Sequence, residues 1–123
     1  SPKLAWLLMC KKLKIKVVTH LGAGGKSDPS TVKVVNLVDT HNCKLGSHIK
    51  KRIKRHGASL RGIKAVFSSE LQDKKSLKMT DGSNFKKSFY GTISYMPALF
   101  GLHGAAEVIR YLSTKEEEKA VEL

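Results

Sequence analysis

The sequence predicts one α/β domain built around a small sheet. Three β-rich runs alternate with stretches of helical periodicity, the pattern of strands and helices that pack in layers. The first run ends in a glycine-rich loop that carries polar residues, and α/β folds bind ligands beyond the carboxyl ends of such strands. With 123 residues and 41% apolar content, the chain is one domain or part of one.

The first elements are a helix, a strand and the glycine loop. Leucines at helical spacing predict an amphipathic helix over 2–12, and β-branched residues predict a strand over 15–19. The loop 22–25 has three glycines that are free to take positive φ. Its spacing matches neither phosphate-loop pattern, so spacing alone favours a plain tight turn over a phosphate cradle.

The middle of the chain adds a strand, a helix and a further strand. The run 31–38 is apolar on both faces, as an internal strand would be. A narrow apolar stripe predicts a helix over 47–56, with Ser47 as its N-cap and Gly57 as its stop. The apolar run 63–68 is the third predicted strand.

The predicted domain covers residues 1–113. Residues 70–90 are polar without clear periodicity and are predicted to be a flexible insertion. The helical stretch within 91–112 is apolar nearly all round, so it is predicted to be buried. Charged residues interrupt it, so no transmembrane segment is predicted. Residues 114–123 reverse the charge and are predicted to be a frayed, charged tail.

The net charge of +13 is the strongest compositional feature. Such an excess favours a polyanion as partner, RNA before DNA or an anionic membrane surface. A surface helix that needed only solubility would mix positive and negative charges. The predicted helix 47–56 instead has five cations in six consecutive positions, which we predict to contact phosphate groups: Lys50, Lys51, Arg52, Lys54 and Arg55.

The two cysteines form no disulfide framework and no C-x-x-C motif, which fits a reduced, intracellular setting. Cys43 lies near His41 and His48, a combination that suggests a nucleophile or a metal ligand. Zinc would require four ligands, and the remaining candidates have no ligand spacing. We therefore predict no metal site, assign no catalytic residue and leave the role of Cys43 open.

Three blocks of sequence resemble the C-terminal half of an E1-like (ThiF/MoeB-type) tRNA threonylcarbamoyladenosine dehydratase. They occur in the family's order and cover about two thirds of the chain. The blocks are KLAWLLMCKKLKIKVVTHLGAGGKSDPSTVKVVNL, GIKAVFSSE and GTISYMPALFGLHGAAEVIRYL. Their most typical motifs are GAGGKSDP, VFSSE and GTISYMPALFG.

This resemblance implies the C-terminal part of a Rossmann-like E1/ThiF-type fold, three-layered with a partial sheet. It also implies an ATP- and Mg²⁺-dependent ligase-type activation: the carboxylate of N6-threonylcarbamoyladenosine in tRNA is adenylated and then cyclised with loss of water. The partners would be tRNA and, in the full-length protein, a second copy in a homodimer. In such a family the loop would face substrate, through Gly22, Gly24, Gly25, Lys26 and Asp28; loop solubility and an Asx-type turn are the alternative.

The family's nucleotide loop lies upstream of the region that this chain matches. The chain is therefore expected to be a fragment that lacks this loop and is inactive alone. Residues 40–47, THNCKLGS, also depart from the family's pattern. Two other functions stay open: a basic RNA-binding module without catalysis, and an activator of a ubiquitin-like protein. The expected compartment is the cytoplasm, with association to the mitochondrial outer membrane as the alternative.

Overall fold

The three predicted strands form one mixed sheet. The structure is a computed structural model that describes residues 2–72, 77–79 and 88–122, with side chains at 2–72 and 91–118. The central strand of this sheet is β3 (Ile63–Ser68), which lies between β1 (Val17–His20) and β2 (Val32–Asn36). β1 runs parallel to β3, and β2 runs antiparallel to it.

Helices cover both faces of the sheet. Helices α1 (Pro2–Lys12) and α2 (Lys44–Arg55) pack on one face, and α3 (Tyr95–Glu122) packs on the other. Because side chains alternate along a strand, Phe67 of β3 faces the first core while Val66 faces the second. This arrangement confirms the predicted α/β class with three layers and a partial sheet.

The junction of α1 and β1 explains why β1 begins two residues later than predicted. The amide of Ile15 donates to the Cys10 carbonyl at 2.9 Å, and the amide of Lys14 donates to the Lys11 carbonyl at 3.2 Å. These are the two bonds of a Schellman motif, whose penultimate position requires a left-handed residue. Lys14 takes that conformation, with φ of 57°. The chain therefore turns at 14 before it can extend.

Helix α2 begins three residues before the predicted start, so the prediction of Ser47 as N-cap is wrong. Cys43 is the N-cap, and its Sγ accepts a hydrogen bond from the amide of Gly46 at 3.4 Å. Gly46 is needed for packing, since a Cβ there would lie 2.8 Å from Leu21 Cδ1. The predicted stop is confirmed: Gly57 follows the helix with φ of 76°.

The prediction that the last helix is buried is wrong. One stripe of α3 packs on the sheet through Met96, Phe100 and Gly104, whereas Leu102 is 68% and Ile109 64% exposed. In the described structure α3 packs on the strands of the sheet, and a sheet covers only the face of a helix that lies against it. α3 also continues through the predicted frayed tail, whose Glu, Lys and Ala residues favour helix.

The predicted insertion at 70–90 falls largely outside the described residues, which omit 73–76 and 80–87. Within it, β4 (Leu77–Met79) and β5 (Ser88–Tyr90) pair as a separate antiparallel sheet that the sequence analysis did not predict. In the part of the chain that the structure describes, no helix has the length and apolar character needed to cross a membrane.

Candidate functional site

The candidate site lies where β1 and β3 end, which we call the upper edge of the sheet. The helices begin there: the Lys3 amine donates to the His20 carbonyl, and the Tyr95 hydroxyl donates to the Ser27 carbonyl at 2.7 Å. At the opposite, lower edge β1 and β3 start and the antiparallel β2 ends. There Lys11, near the end of α1, donates to the Arg61 carbonyl at 2.6 Å. The glycine loop therefore lies at the edge where α/β folds bind ligands.

The glycine loop is a tight turn. Of its three predicted glycines, Gly25 has positive φ, 73°, and Gly22 and Gly24 do not. The amide of Gly25 donates to the Gly91 carbonyl at 2.9 Å, and the next amide, that of Lys26, donates to the Ala23 carbonyl at 3.3 Å. Backbone hydrogen bonds thus hold the loop in a closed turn and connect it to the segment that leads into α3.

Lys26 is the most buried polar side chain of the loop, with 1% exposure. Its ammonium donates to the carbonyls of Asn42 at 2.7 Å, Ser68 at 2.9 Å and Glu70. An ammonium has three donors, so its hydrogen-bonding capacity is fully used inside the fold. The alternative that Lys26 only makes the loop soluble is therefore wrong. Burial lowers the pKa of this amine, against the opposing influence of Cys43 and Glu70.

Glu70 closes the loop from the end of β3. Its carboxylate accepts from the amides of Ser27 and Asp28, both at 2.9 Å, and from the Ser27 hydroxyl at 3.2 Å. Burial alone would raise the pKa of Glu70, but these hydrogen bonds outweigh it and lower the pKa. Two amides that could have bound a phosphate thus bind an internal carboxylate. The sequence alone gives no indication of this pairing.

Asp28 forms the Asx-type turn that the sequence analysis gave as the alternative to a substrate contact. Its carboxylate accepts from the Ser30 amide at 3.0 Å and from the Ser30 hydroxyl at 2.7 Å, which caps the turn that starts at Pro29. Both hydrogen bonds lower the pKa of Asp28. The substrate-facing role of the loop residues stays a prediction.

These carboxylates predict loss of stability in acid. The pKa values of Glu70 and Asp28 are lower in the folded chain than in the unfolded one. The two carboxylates therefore stabilise the fold at pH values above their unfolded pKa values, which are about 4. That contribution disappears as the pH falls through the folded values. We expect Glu70→Gln to lower the free energy of unfolding by about 1 kcal/mol at pH 7. We also expect a shallower fall in stability below about pH 5.

Urea denaturation at a series of pH values measures both effects. Asp39→Asn is the matched control, because Asp39 is an exposed acid outside the loop. If Glu70→Gln and Asp39→Asn gave the same pH profile, the carboxylate of Glu70 would not be what holds the loop.

A cavity of about 400 Å³ adjoins the loop and the start of α3. His20 is its most distinctive lining group: its Nε2 is buried and has no hydrogen-bond partner among the described residues. No cysteine, lysine or carboxylate lines this cavity within the described structure, so its lining assigns no nucleophile or acid. The lining residues are His20, Leu21, Ala23, Thr92, Pro97, Phe100 and Gly101.

The histidines near Cys43 do not join it in a site. Cys43 is buried as the N-cap of α2, and the ring of His41 packs edge-on against Phe67 with 5.2 Å between centroids. His48 is exposed on α2. Among the described side chains, no three histidines, cysteines or carboxylates lie together as a metal site. The structure thus gives Cys43 a capping role, a role that its residue type did not suggest.

Helix α2 carries the predicted phosphate-contacting cations. Ile49 and Ile53 bury one stripe of the helix in the first core. Lys50 is half-buried and donates to the Thr40 carbonyl at 2.6 Å, so it is partly engaged within the fold. The other four cations are exposed, and we call them the α2 basic face: Lys51, Arg52, Lys54 and Arg55.

Comparison with known proteins supports the resemblance seen in the sequence. No family model matches the chain. The chain is 29% identical over 120 residues to tRNA threonylcarbamoyladenosine dehydratase 2 of Saccharomyces cerevisiae, covering 85% of this chain and 27% of that protein. It is 33% identical over 75 residues to the Escherichia coli tRNA threonylcarbamoyladenosine dehydratase, covering 56% of this chain and 28% of that protein.

Solved structures of the same kind of protein share the fold. The crystal structure of E. coli TcdA, a tRNA N6-threonylcarbamoyladenosine dehydratase, in complex with AMP matches 94% of this chain with a TM-score of 0.76 and 26% identity. The complex with ATP matches 95% with the same TM-score. The chain spans about 45% of the solved relatives and about a quarter of the curated ones.

Proposed function

We propose that this chain, which resembles the E1-like tRNA threonylcarbamoyladenosine dehydratases in sequence and fold, is part of an enzyme with that activity. The enzyme would adenylate the carboxylate of N6-threonylcarbamoyladenosine in tRNA and cyclise it with net loss of water. The observation that carries this proposal is the match of 94% of the chain to an AMP-bound dehydratase. A carboxylate is a poor electrophile, and its adenylate gives AMP as a good leaving group.

The loop residues of this chain do not fit a triphosphate. The amides from Gly25 to Asp28 all have partners inside the fold, two of them on the Glu70 carboxylate. A carboxylate at that position would also repel a phosphate group. We therefore propose that ATP and Mg²⁺ are held by residues outside those described here, and that this chain positions the substrate end of the site.

The α2 basic face supports tRNA as the partner. Its four exposed cations lie on one helix, and no acidic residue occurs between Thr40 and Ser69. Such a surface binds the phosphate backbone and positions a nucleic acid without reading its bases. The same observation favours a second candidate function, a basic RNA-binding module without catalysis.

The remaining predictions belong to the same proposal. The exposed apolar side chains of α3, such as Leu102 and Ile109, support a homodimer of the full-length protein. Neither the compartment nor activation of a ubiquitin-like protein has further support from the structure. The dehydratase and the RNA-binding module are therefore the two functions to separate by experiment.

One assay separates these functions. The 123-residue chain, and a longer protein that also carries a nucleotide loop, are each incubated with ATP, Mg²⁺ and tRNA bearing N6-threonylcarbamoyladenosine. Mass spectrometry of the digested tRNA detects the loss of water, and AMP release is followed in parallel. We expect the cyclic product and AMP from the longer protein only.

Two results would change the proposal. Product from the 123-residue chain alone would contradict the expectation that the nucleotide loop lies upstream of this chain. A longer protein that binds the tRNA tightly but forms neither product nor AMP would favour the RNA-binding module.

A further inference from the structure

Lys14 is a residue type that local stability does not explain at its position. It occupies the left-handed position of the Schellman motif after α1, with φ of 57°. Glycine is the usual residue there, because a Cβ in this region is sterically unfavourable. The Lys14 side chain is exposed and forms none of the described hydrogen bonds or ion pairs. Backbone strain at an exposed cation is the kind of outlier that points to function.

The position of Lys14 brings it near other cations at the lower edge. Lys12 lies two residues earlier at the end of α1, and Lys11 ties this end to the α2–β3 connection through Ser59 and the Arg61 carbonyl. Lys12 and Arg61 are both exposed. We call Lys12, Lys14 and Arg61 the lower basic cluster. Helix α2 also ends at this edge, so its basic face leads towards the cluster.

Lys14 also opens onto a groove of about 730 Å³ between the start of β1 and α3. Its lining includes four lysines and one carboxylate: Lys14, Lys16, Lys64, Lys115 and Glu107. The Glu107 carboxylate forms an ion pair with Lys64 at 3.1 Å, so it offsets the charge of one of these four lysines. The sequence has no acidic residue from Ser1 to Ser27, so the lining of the groove has a net positive charge. The exposed carboxylates nearest in sequence to this lining are Glu116, Glu117 and Glu118, which follow Lys115 on α3.

We propose that Lys14 is a phosphate-contacting residue that joins the α2 basic face to this groove in one RNA-binding surface. This inference rests on the proposed tRNA function. The surface lies at the lower edge, whereas the glycine loop lies at the upper edge. The part of the tRNA backbone that contacts the lower basic cluster would therefore lie far from the nucleotide that reacts. Such contacts contribute affinity and orientation and carry no sequence information.

The test uses the 123-residue chain and an unmodified tRNA transcript, with fluorescence anisotropy at a series of KCl concentrations. Lys14→Gly and Lys14→Gln should each reduce the slope of log K against log salt by about 0.7 to 0.9, the loss of one phosphate contact. Lys33→Gln, which removes an exposed lysine from β2, is the control and should leave the slope unchanged. A variant with glutamine at the four positions of the α2 basic face is the reference for the proposed function.

The Lys14→Gly variant separates the effect of the lost charge on tRNA binding from any effect on the stability of the chain. Because glycine relieves the left-handed strain, its melting temperature should equal that of the unmodified chain or exceed it by up to about 4 °C. Weaker tRNA binding in a chain of equal or higher stability cannot arise from unfolding. A lower melting temperature would overturn the argument that strain is present at Lys14.

The outcomes distinguish the inference from the function on which it rests. If the 123-residue chain binds no tRNA, the inference fails, and so does the proposal that the α2 basic face binds tRNA. The dehydratase activity is judged separately, by the cyclic product that the longer protein forms. If the chain binds and the α2 variant has a smaller slope while both Lys14 variants behave like Lys33→Gln, the inference fails alone. Binding to anionic phosphatidylserine vesicles that depends on Lys14, with no effect of Lys14 on tRNA, would assign the cluster to a membrane and overturn the proposal.

Discussion

Replacing Lys26 with methionine is expected to lower the free energy of unfolding by about 3 kcal/mol. The ammonium of Lys26 donates to three backbone carbonyls, those of Asn42, Ser68 and Glu70. Methionine fills a similar volume but donates nothing, so three acceptors lose a charged partner at once. Desolvation of the ammonium offsets part of this stabilisation, which is why the expected loss is below the sum of three charge-assisted bonds.

The loss would be large for a domain of this size, because whole domains are stable by only about 5 to 15 kcal/mol. The three carbonyls belong to different segments: the turn before α2, the end of β3 and the residues after it. Lys26 therefore joins the glycine loop to two neighbours that are distant in sequence. Removal of the Lys26 ammonium should therefore make the glycine loop more mobile and also destabilise the chain.

Urea denaturation followed by circular dichroism measures the effect. Lys33→Met is the control, since Lys33 is an exposed strand lysine and its replacement should change stability by less than about 0.5 kcal/mol. A Lys26→Met variant as stable as the control would mean that the buried ammonium is not needed to satisfy these carbonyls.

Lys26 also shows where sequence reasoning reaches its limit. The pattern of strands and helices was predictable because periodicity reports which face of an element is buried, and the three layers were implied by the family resemblance. Periodicity does not predict where the side chain of a single loop lysine lies, and lysines are rarely buried fully. Only the convergence of three carbonyls from distant segments makes this position favourable. A loop lysine followed by Asp28 and Pro29 gives no sign of that convergence.

The two helix errors have different physical causes. Helix α2 began early because Cys43 caps it and Gly46 is needed for close packing, although cysteine and glycine normally predict neither role. Helix α3 is predicted to be buried because its apolar residues leave no wide polar face. That pattern shows which side chains can be buried, but the number of layers packed against the helix determines how many of them are.

Gly104→Ala is expected to destabilise the chain by about 2 kcal/mol, although alanine is the better helix former. A Cβ at Gly104 would lie 2.6 Å from Cε1 of His20 and closer still to its buried Nε2. The imidazole ring would have to rotate, or α3 would have to move away from the sheet. Movement of α3 would disrupt the packing of Met96 and Phe100 in the second core.

Gly101→Ala is the matched control on the same helix. A Cβ at Gly101 would have nothing within 4 Å, so the substitution should stabilise the chain by about 0.5 to 1 kcal/mol through helix propensity. The two glycine substitutions are thus expected to have opposite signs. Thermal or urea denaturation of both variants measures this difference directly.

A double-mutant cycle identifies His20 as the cause. In a His20→Ala background the clash is removed, so Gly104→Ala should lose most of its cost and show a coupling energy of about 2 kcal/mol with His20. The stability gained by Gly101→Ala should be unaffected in that background. If Gly104→Ala were as stabilising as Gly101→Ala in the unmodified chain, the histidine would not lie against α3, and the cavity beside the glycine loop would have a different wall.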